Sequence, residues 1–159
     1  MEWGPIAPYL LAACGVVLLL AGIQDARRRT IAHWQVIAVI VLAPLYWMAT
    51  GLAPWPDMAW RVGAAIATLM LFLIPFHFGW MAGGDVKLLA ALALWLPPSL
   101  LLPGLQIVAL VGGLVTLPFW IAKRRGTAVD QRAVEVPYGV AIAAGGLIML
   151  CEPIVNQFG

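Results

Sequence analysis

Charge is scarce in this chain. Of 159 residues, nine are Lys or Arg and seven are Asp or Glu, 10% in all, against 64% hydrophobic. A soluble domain carries about 25% charged residues, so a water-facing surface cannot be assembled from this composition. The net charge of +2 is too small to argue for a nucleic-acid partner. Cysteine occurs twice, as Cys14 and Cys151, each inside an apolar run and in no CxxC spacing. That excludes a zinc knuckle or a dithiol redox pair and leaves two small apolar-segment residues. Serine occurs once, as Ser99, and histidine twice, as His33 and His77. Ser99 falls in a predicted outer loop and both histidines near the opposite face, so a serine–histidine dyad would have to cross the layer between them. No HExxH or equivalent cluster of zinc ligands is present. Metal-assisted and nucleophilic hydrolysis are thereby set aside, and carboxylates remain.

What the chain has in abundance is long apolar runs. They cover roughly residues 5–23, 34–52, 58–80, 86–96, 102–122 and 136–150, separated by short polar or Pro/Gly-rich stretches. Most approach the roughly 20 residues that a helix needs to cross a bilayer. The fourth is shorter, stopped by Pro97-Pro98, and reads as a partial span or one extended through Gly83-Gly84. Eight Trp and three Tyr suit membrane interfaces. The expectation is an all-α polytopic membrane protein of about six transmembrane helices, a single membrane-embedded domain over residues 1–159 with no soluble domain. The N-terminus lacks the basic region of a cleavable signal, so the first run is expected to stay as a span.

Basic residues set the orientation. Arg27, Arg28 and Arg29 form one cluster and Lys123, Arg124, Arg125 and Arg132 another. With six spans, the loops after the first, third and fifth share one side, and both clusters fall there with Lys87. By the positive-inside rule that side is cytoplasmic, and both termini are outside. Asp25, at the end of the first run, and Asp85, at the start of the fourth, then lie at one depth on the cytoplasmic face.

An acid at a membrane edge is costly unless it has a task. Two carboxyls in contact cannot both ionise easily in a poor dielectric, so they share a proton. The ionised member can take a proton from water while the other donates to a scissile carbonyl, a hydrolysis that needs no metal and no cofactor. Gly83 and Gly84 before Asp85 permit backbone angles closed to other residues and the close approach of a substrate strand. Asp85 would sit at a helix N-terminus, which makes it the candidate for the ionised partner. Taken singly, Gly-Gly-Asp is an ordinary turn, Asp25 beside three arginines an ordinary ion-pair cluster, and the arginine runs are topology signals first. Asp57, Asp130, Glu135 and Glu152 look like solvated loop or tail acids.

These residues resemble the type IV prepilin peptidase family, aspartic proteases of the GxGD type. Asp25-Ala26-Arg27-Arg28-Arg29-Thr30-Ile31-Ala32-His33 resembles the family's D-x-R-x-x-x-I-P-N stretch, with Ala32-His33 in place of Pro-Asn. Ala82-Gly83-Gly84-Asp85-Val86-Lys87-Leu88 resembles G-x-G-D-x-K-L, with Ala82 for the first glycine. Val136-Pro137-Tyr138-Gly139-Val140 resembles I-P-[FY]-G-P. The motifs come in the family's order. The resemblance implies an endopeptidase in the bacterial inner membrane that removes prepilin or pseudopilin leaders at the cytoplasmic face. Asp25 and Asp85 would be catalytic, with Gly83, Gly84, Lys87, Pro137, Tyr138 and Gly139 shaping the substrate site. Its partners would be a basic leader joined to a hydrophobic helix, and the lipid bilayer. The chain looks like the short, core-only form of tight-adherence (Flp-type) systems, without the cysteine-paired segment associated with N-methylation, so methyl transfer is not expected. Two other classes stay open at this stage: a small ion-coupled transporter or channel subunit, which would favour acids near the midplane, and a structural subunit of a pilus or secretion assembly.

Overall fold

The structure, a computed structural model, describes residues 6–124 and 138–158, with side chains described except at 98, 115–124 and 152–158. Arg125, Arg132 and Pro137, and the side chains of Lys123, Arg124 and Glu152, lie outside the described residues. Six helices follow in order: α1 (Ala7–Arg28), α2 (His33–Ala49), α3 (Ala59–His77), α4 (Gly83–Ala93), α5 (Pro98–Arg124) and α6 (Tyr138–Phe158). No strand occurs among the described residues. A wide turn over Pro54–Met58 leads into α3. The segments Ala7–Arg28 and Pro54–His77 are long and apolar enough to cross a bilayer.

The interior is apolar, and the exterior is apolar as well. Buried polar residues include Asp25, Gln35, Thr68 and Asp85, while Val16, Leu19, Ile37, Ile66, Met70 and Leu110 are exposed. An exterior of this kind marks a surface that meets an apolar medium or a partner.

Helix α1 runs further than its apolar composition suggests. It continues through Asp25 to Arg28 and ends where Arg29 adopts a left-handed conformation (φ 56°), its N–H donating to the Asp25 carbonyl. Asp25 therefore belongs to the helix and not to the loop after it. Its direction follows from helical spacing: Leu11, Cys14, Leu18, Ala21 and Gly22 form the buried stripe, and Asp25 is the next position on it.

Helix α6 packs antiparallel against that stripe through small residues. A Cβ on Gly22 would stand 2.8 Å from the Ala143 Cβ, and one on Gly146 would stand 3.1 Å from Leu18. On its other side, a Cβ on Gly145 would meet Val108 of α5 at 2.7 Å. Small residues at a crossing let helices approach closely, which is how helices associate where no water drives them together. The register carries the N-terminus of α6 to the last turn of α1.

Helix α4 lies at the centre. It has eleven residues, and all from Leu88 to Ala93 are buried. At 1.5 Å per residue it is about 16 Å long, roughly half of a hydrocarbon core. Its C-terminal carbonyls are buried and need partners within the protein. Trp47 Nε1 donates to Leu94 O (3.1 Å) and the Arg61 guanidinium to Trp95 O (2.8 Å). Trp95 in turn donates to Val39 O (3.1 Å) and stacks on Tyr46 with ring centroids 5.1 Å apart. Arg61, in the first turn of α3, thus closes the end of a short internal helix. Ser99 lies in the first turn of α5 and not in a loop. Cys14 is buried, whereas Cys151 is exposed on the apolar exterior.

Gly22→Val should cost about 1–3 kcal/mol by overpacking the α1–α6 crossing, seen as a lower unfolding midpoint in detergent. Gly63→Val, at a position where an added Cβ meets nothing within 4 Å, should leave the midpoint unchanged.

Candidate active site

Three chain segments meet around Asp25 and Asp85, each of which is 4% exposed. The last turn of α1 carries Asp25, the first turn of α4 carries Asp85, and α6 begins beside them. The charge of Asp25 acts directly on Asp85, so residues sixty positions apart in the chain share one electrostatic environment.

Each acid is held by backbone. Asp85 occupies the third position of α4 and its carboxyl accepts from the N–H of Ala82, the residue that caps the helix. This is the acidic half of a capping box. The N–H groups of Gly139 and Val140, in the first turn of α6, face the Asp25 carboxyl, and the charge of Arg29 acts on it. Oδ2 of Asp25 is buried and makes no hydrogen bond among the described residues. A helix N-terminus stabilises negative charge. Asp25 thus receives two amides of a second helix and a nearby guanidinium, against one amide and the N-terminus of its own helix for Asp85. Backbone groups of a helix distant in sequence thus join the surroundings of Asp25, an arrangement the helix N-terminus at Asp85 does not by itself reveal.

Glycine matters here for contact, not for backbone angle. A Cβ on Gly139 would stand 2.8 Å from both Cγ and Oδ2 of Asp25. Any side chain at 139 displaces the acid. Gly83 and Gly84 lie in the first turn of α4, and neither has a positive φ; among the described residues that belongs to Arg29, Gly51 and Gly79. Their close neighbours are the protein's own side chains. A Cβ on Gly83 would meet the Phe76 ring at 3.2 Å, and one on Gly84 would meet Ile31 at 3.1 Å. Ile31, buried in the loop after α1, therefore seats that loop on the start of α4.

A polar network fixes the same loop. Gln35 is 1% exposed; its Oε1 accepts from Ala32 N–H (3.1 Å) and its Nε2 donates to Gln24 Oε1 (3.3 Å). Gln24 Nε2 donates to Thr30 O (3.2 Å). Sequence reading passed over Gln24 and Gln35 and gave Ile31 no role beyond its place in the first motif. One signal was available: two glutamines flanking a loop in a chain so poor in polar residues.

The remaining candidates separate. Tyr138 turns its ring to Gly112 on α5 and lines a cavity of about 360 Å³ with Phe72 and Trp80. Lys87 and His33 are exposed and line an apolar groove of about 450 Å³ between α2 and α3, with α4 as its floor and Gly84 among its lining residues. Pro137 lies outside the described residues.

Residues 12–117 match the type IV leader peptidase family. The chain is similar to the prepilin leader peptidase/N-methyltransferase of Pectobacterium carotovorum subsp. carotovorum, 37% identical over 103 residues, which are 61% of this chain and 34% of that protein. This chain thus spans about a third of that relative's length. No solved structure matches it. Both aspartates fall within the matched residues, and the match covers well over half of the sequence: the chain belongs to the type IV leader peptidase family.

Proposed function

We propose that this protein is an aspartic endopeptidase that removes the leader peptides of prepilins or pseudopilins. The observation that carries the reading is the convergence of two buried aspartates, one from α1 and one from α4, within the family-matched region. Burial and mutual repulsion disfavour two charges there, so the pair holds one proton between them. We assign the resting charge to Asp25, whose carboxyl lies against the first turn of α6, and the proton to Asp85.

The reaction then follows. A water between the carboxyls gives a proton to Asp25 as its oxygen bonds to the scissile carbonyl carbon. Asp85 donates its proton to the carbonyl oxygen. The tetrahedral intermediate collapses when the C–N bond breaks and Asp25 returns its proton to the leaving amine; the diol proton passes back to Asp85. Both acids finish in their starting states, with no metal or cofactor in the cycle.

The exposed apolar exterior supports a multi-pass protein of the bacterial inner membrane, with α4 as a central helix reaching only part of the way by itself. The positive-inside rule supports a cytoplasmic location for the end of the bundle that carries the dyad, where Arg27 and Arg28 are exposed. A substrate that is polar before the cleaved bond and apolar after it would be presented at that depth. Carboxyls at the end of the bundle, and not midway along it, favour this reading over an ion-coupled carrier.

Asp25→Asn and Asp85→Asn should each abolish leader removal from a co-expressed prepilin, by at least a hundredfold, with membrane abundance near that of the unsubstituted chain. Processing by either variant would remove the dyad. Gly139→Ala, which leaves both acids in the sequence, should lower processing at least tenfold by displacing the Asp25 carboxyl. With one proton needed between two acids, the rate in purified form should rise and then fall with pH. The low-pH limb appears where both are protonated and the high-pH limb where both are ionised; a rate independent of pH across both limbs would contradict a shared proton.

A further inference from the structure

We infer that the groove between α2 and α3 receives the hydrophobic helix that follows the cleaved bond, with the start of that helix at Gly84; the inference rests on the leader-peptidase reading above. Three observations carry it. The first is continuity. Gly84 lines the groove and is the residue before Asp85, so the groove reaches the turn of α4 that carries Asp85, although neither acid lines it. From there it follows one face of α4 through Lys87 and Ala91 to Leu94, about 15 Å at 1.5 Å per residue. That is room for about ten residues of a second helix lying along α4.

The second is shape. The floor of the groove is small where a helix would press on it, at Gly84, Ala90 and Ala91, and Ala65 adds a small position on the α3 wall. Small residues permit close helix approach in an apolar medium. The walls are the branched side chains of Ile37 and Ile40 on α2 and Val62 and Ile66 on α3, and all four are exposed in the free protein.

The third is polarity. His33 and Lys87 stand toward the dyad end, and the lining beyond them is apolar. A polypeptide passing from an aqueous leader into a membrane helix changes character in the same direction. The other flanks offer less. The α1–α6 and α5–α6 faces are closed by the close contacts at Gly22 and Gly145. The cavity among α3, α5 and α6 has no charged lining residue, and the bulky rings of Phe72, Trp80 and Tyr138 line it.

The groove accounts for a feature the dyad leaves open. A peptide bond inside a helix is shielded by its own turn, so the substrate must be extended at the cleaved bond yet anchored beyond it. A helix held along α4 anchors the part that stays helical and leaves the preceding residues free to extend across the start of α4 toward Asp25 and Asp85.

The test is site-specific photocrosslinking in membranes with a prepilin that the unsubstituted chain processes. A benzophenone amino acid is placed at Ile37 or Ile66 in the Asp25→Asn background, which retains uncleaved substrate, with Leu19 on α1 and Trp80 at the second cavity as comparison positions. Irradiation should join prepilin to positions 37 and 66, through residues within the first ten after the leader, and several-fold less to positions 19 and 80. In the catalytically intact chain, Ile66→Trp should slow processing at least tenfold by filling the groove. Prepilin adducts at position 80 in preference to 37 and 66 would overturn the assignment. So would adducts only with a second copy of the chain, or no protein adduct at all because lipid fills the groove, or processing by Ile66→Trp within twofold of normal. Each of those outcomes leaves the leader-peptidase reading standing, because the unsubstituted chain still processes the prepilin. Absence of processing by that chain would remove both.

Discussion

The close crossing of α1 and α6 is the constraint on which the site depends. Gly22 against Ala143 and Gly146 against Leu18 bring the two helices nearer than larger side chains would allow. That separation and register set the first turn of α6 against the Asp25 carboxyl, with Gly139 at a distance no other residue could occupy. Nothing in a lipid environment pushes helices together as water does, so contact surfaces must fit and backbones must approach. The same small-residue packing that holds the bundle also supplies the amides that face the Asp25 carboxyl.

Burial of two acids is expensive, and the surroundings are arranged to make it tolerable. Each carboxyl meets backbone N–H groups, a guanidinium charge reaches Asp25, and a glutamine network ties down the loop that passes between α1 and α2. These devices favour one charge on the pair and give little support to two. In the proposed mechanism that imbalance is the resting state of the enzyme: one acid ready to accept a proton and one ready to give it.

Helix α4 joins the chemistry to the membrane. Its buried residues make it the centre of the bundle, and its far end is closed by Trp47 and Arg61 and not by more helix. Because α2 and α3 both lean on it without meeting over it, a groove runs between them with Gly84, Lys87, Ala91 and Leu94 of α4 in its lining. A short helix with an acid in its first turn and a groove along its side can hold a substrate and present its bond at the same end, which is the arrangement we propose.

Much of this was legible in the sequence. Apolar runs located the helices, because long segments without charge have few ways to satisfy their backbone except by helical hydrogen bonds. Two acids stood out because an acid is costly in such a chain, and motif order pointed to the family that the comparison bears out. That Asp25 continues the buried stripe of α1 came only with the structure. Tertiary structure alone decided the rest. That Gly139 presses on Asp25, that Gly83 and Gly84 make room for Phe76 and Ile31, and that Tyr138 turns instead to α5 are matters of which helices touch and in what register. A helix reports its own faces through its periodicity, but the identity of the facing helix depends on close contacts between residues far apart in the chain, and no local pattern carries that information.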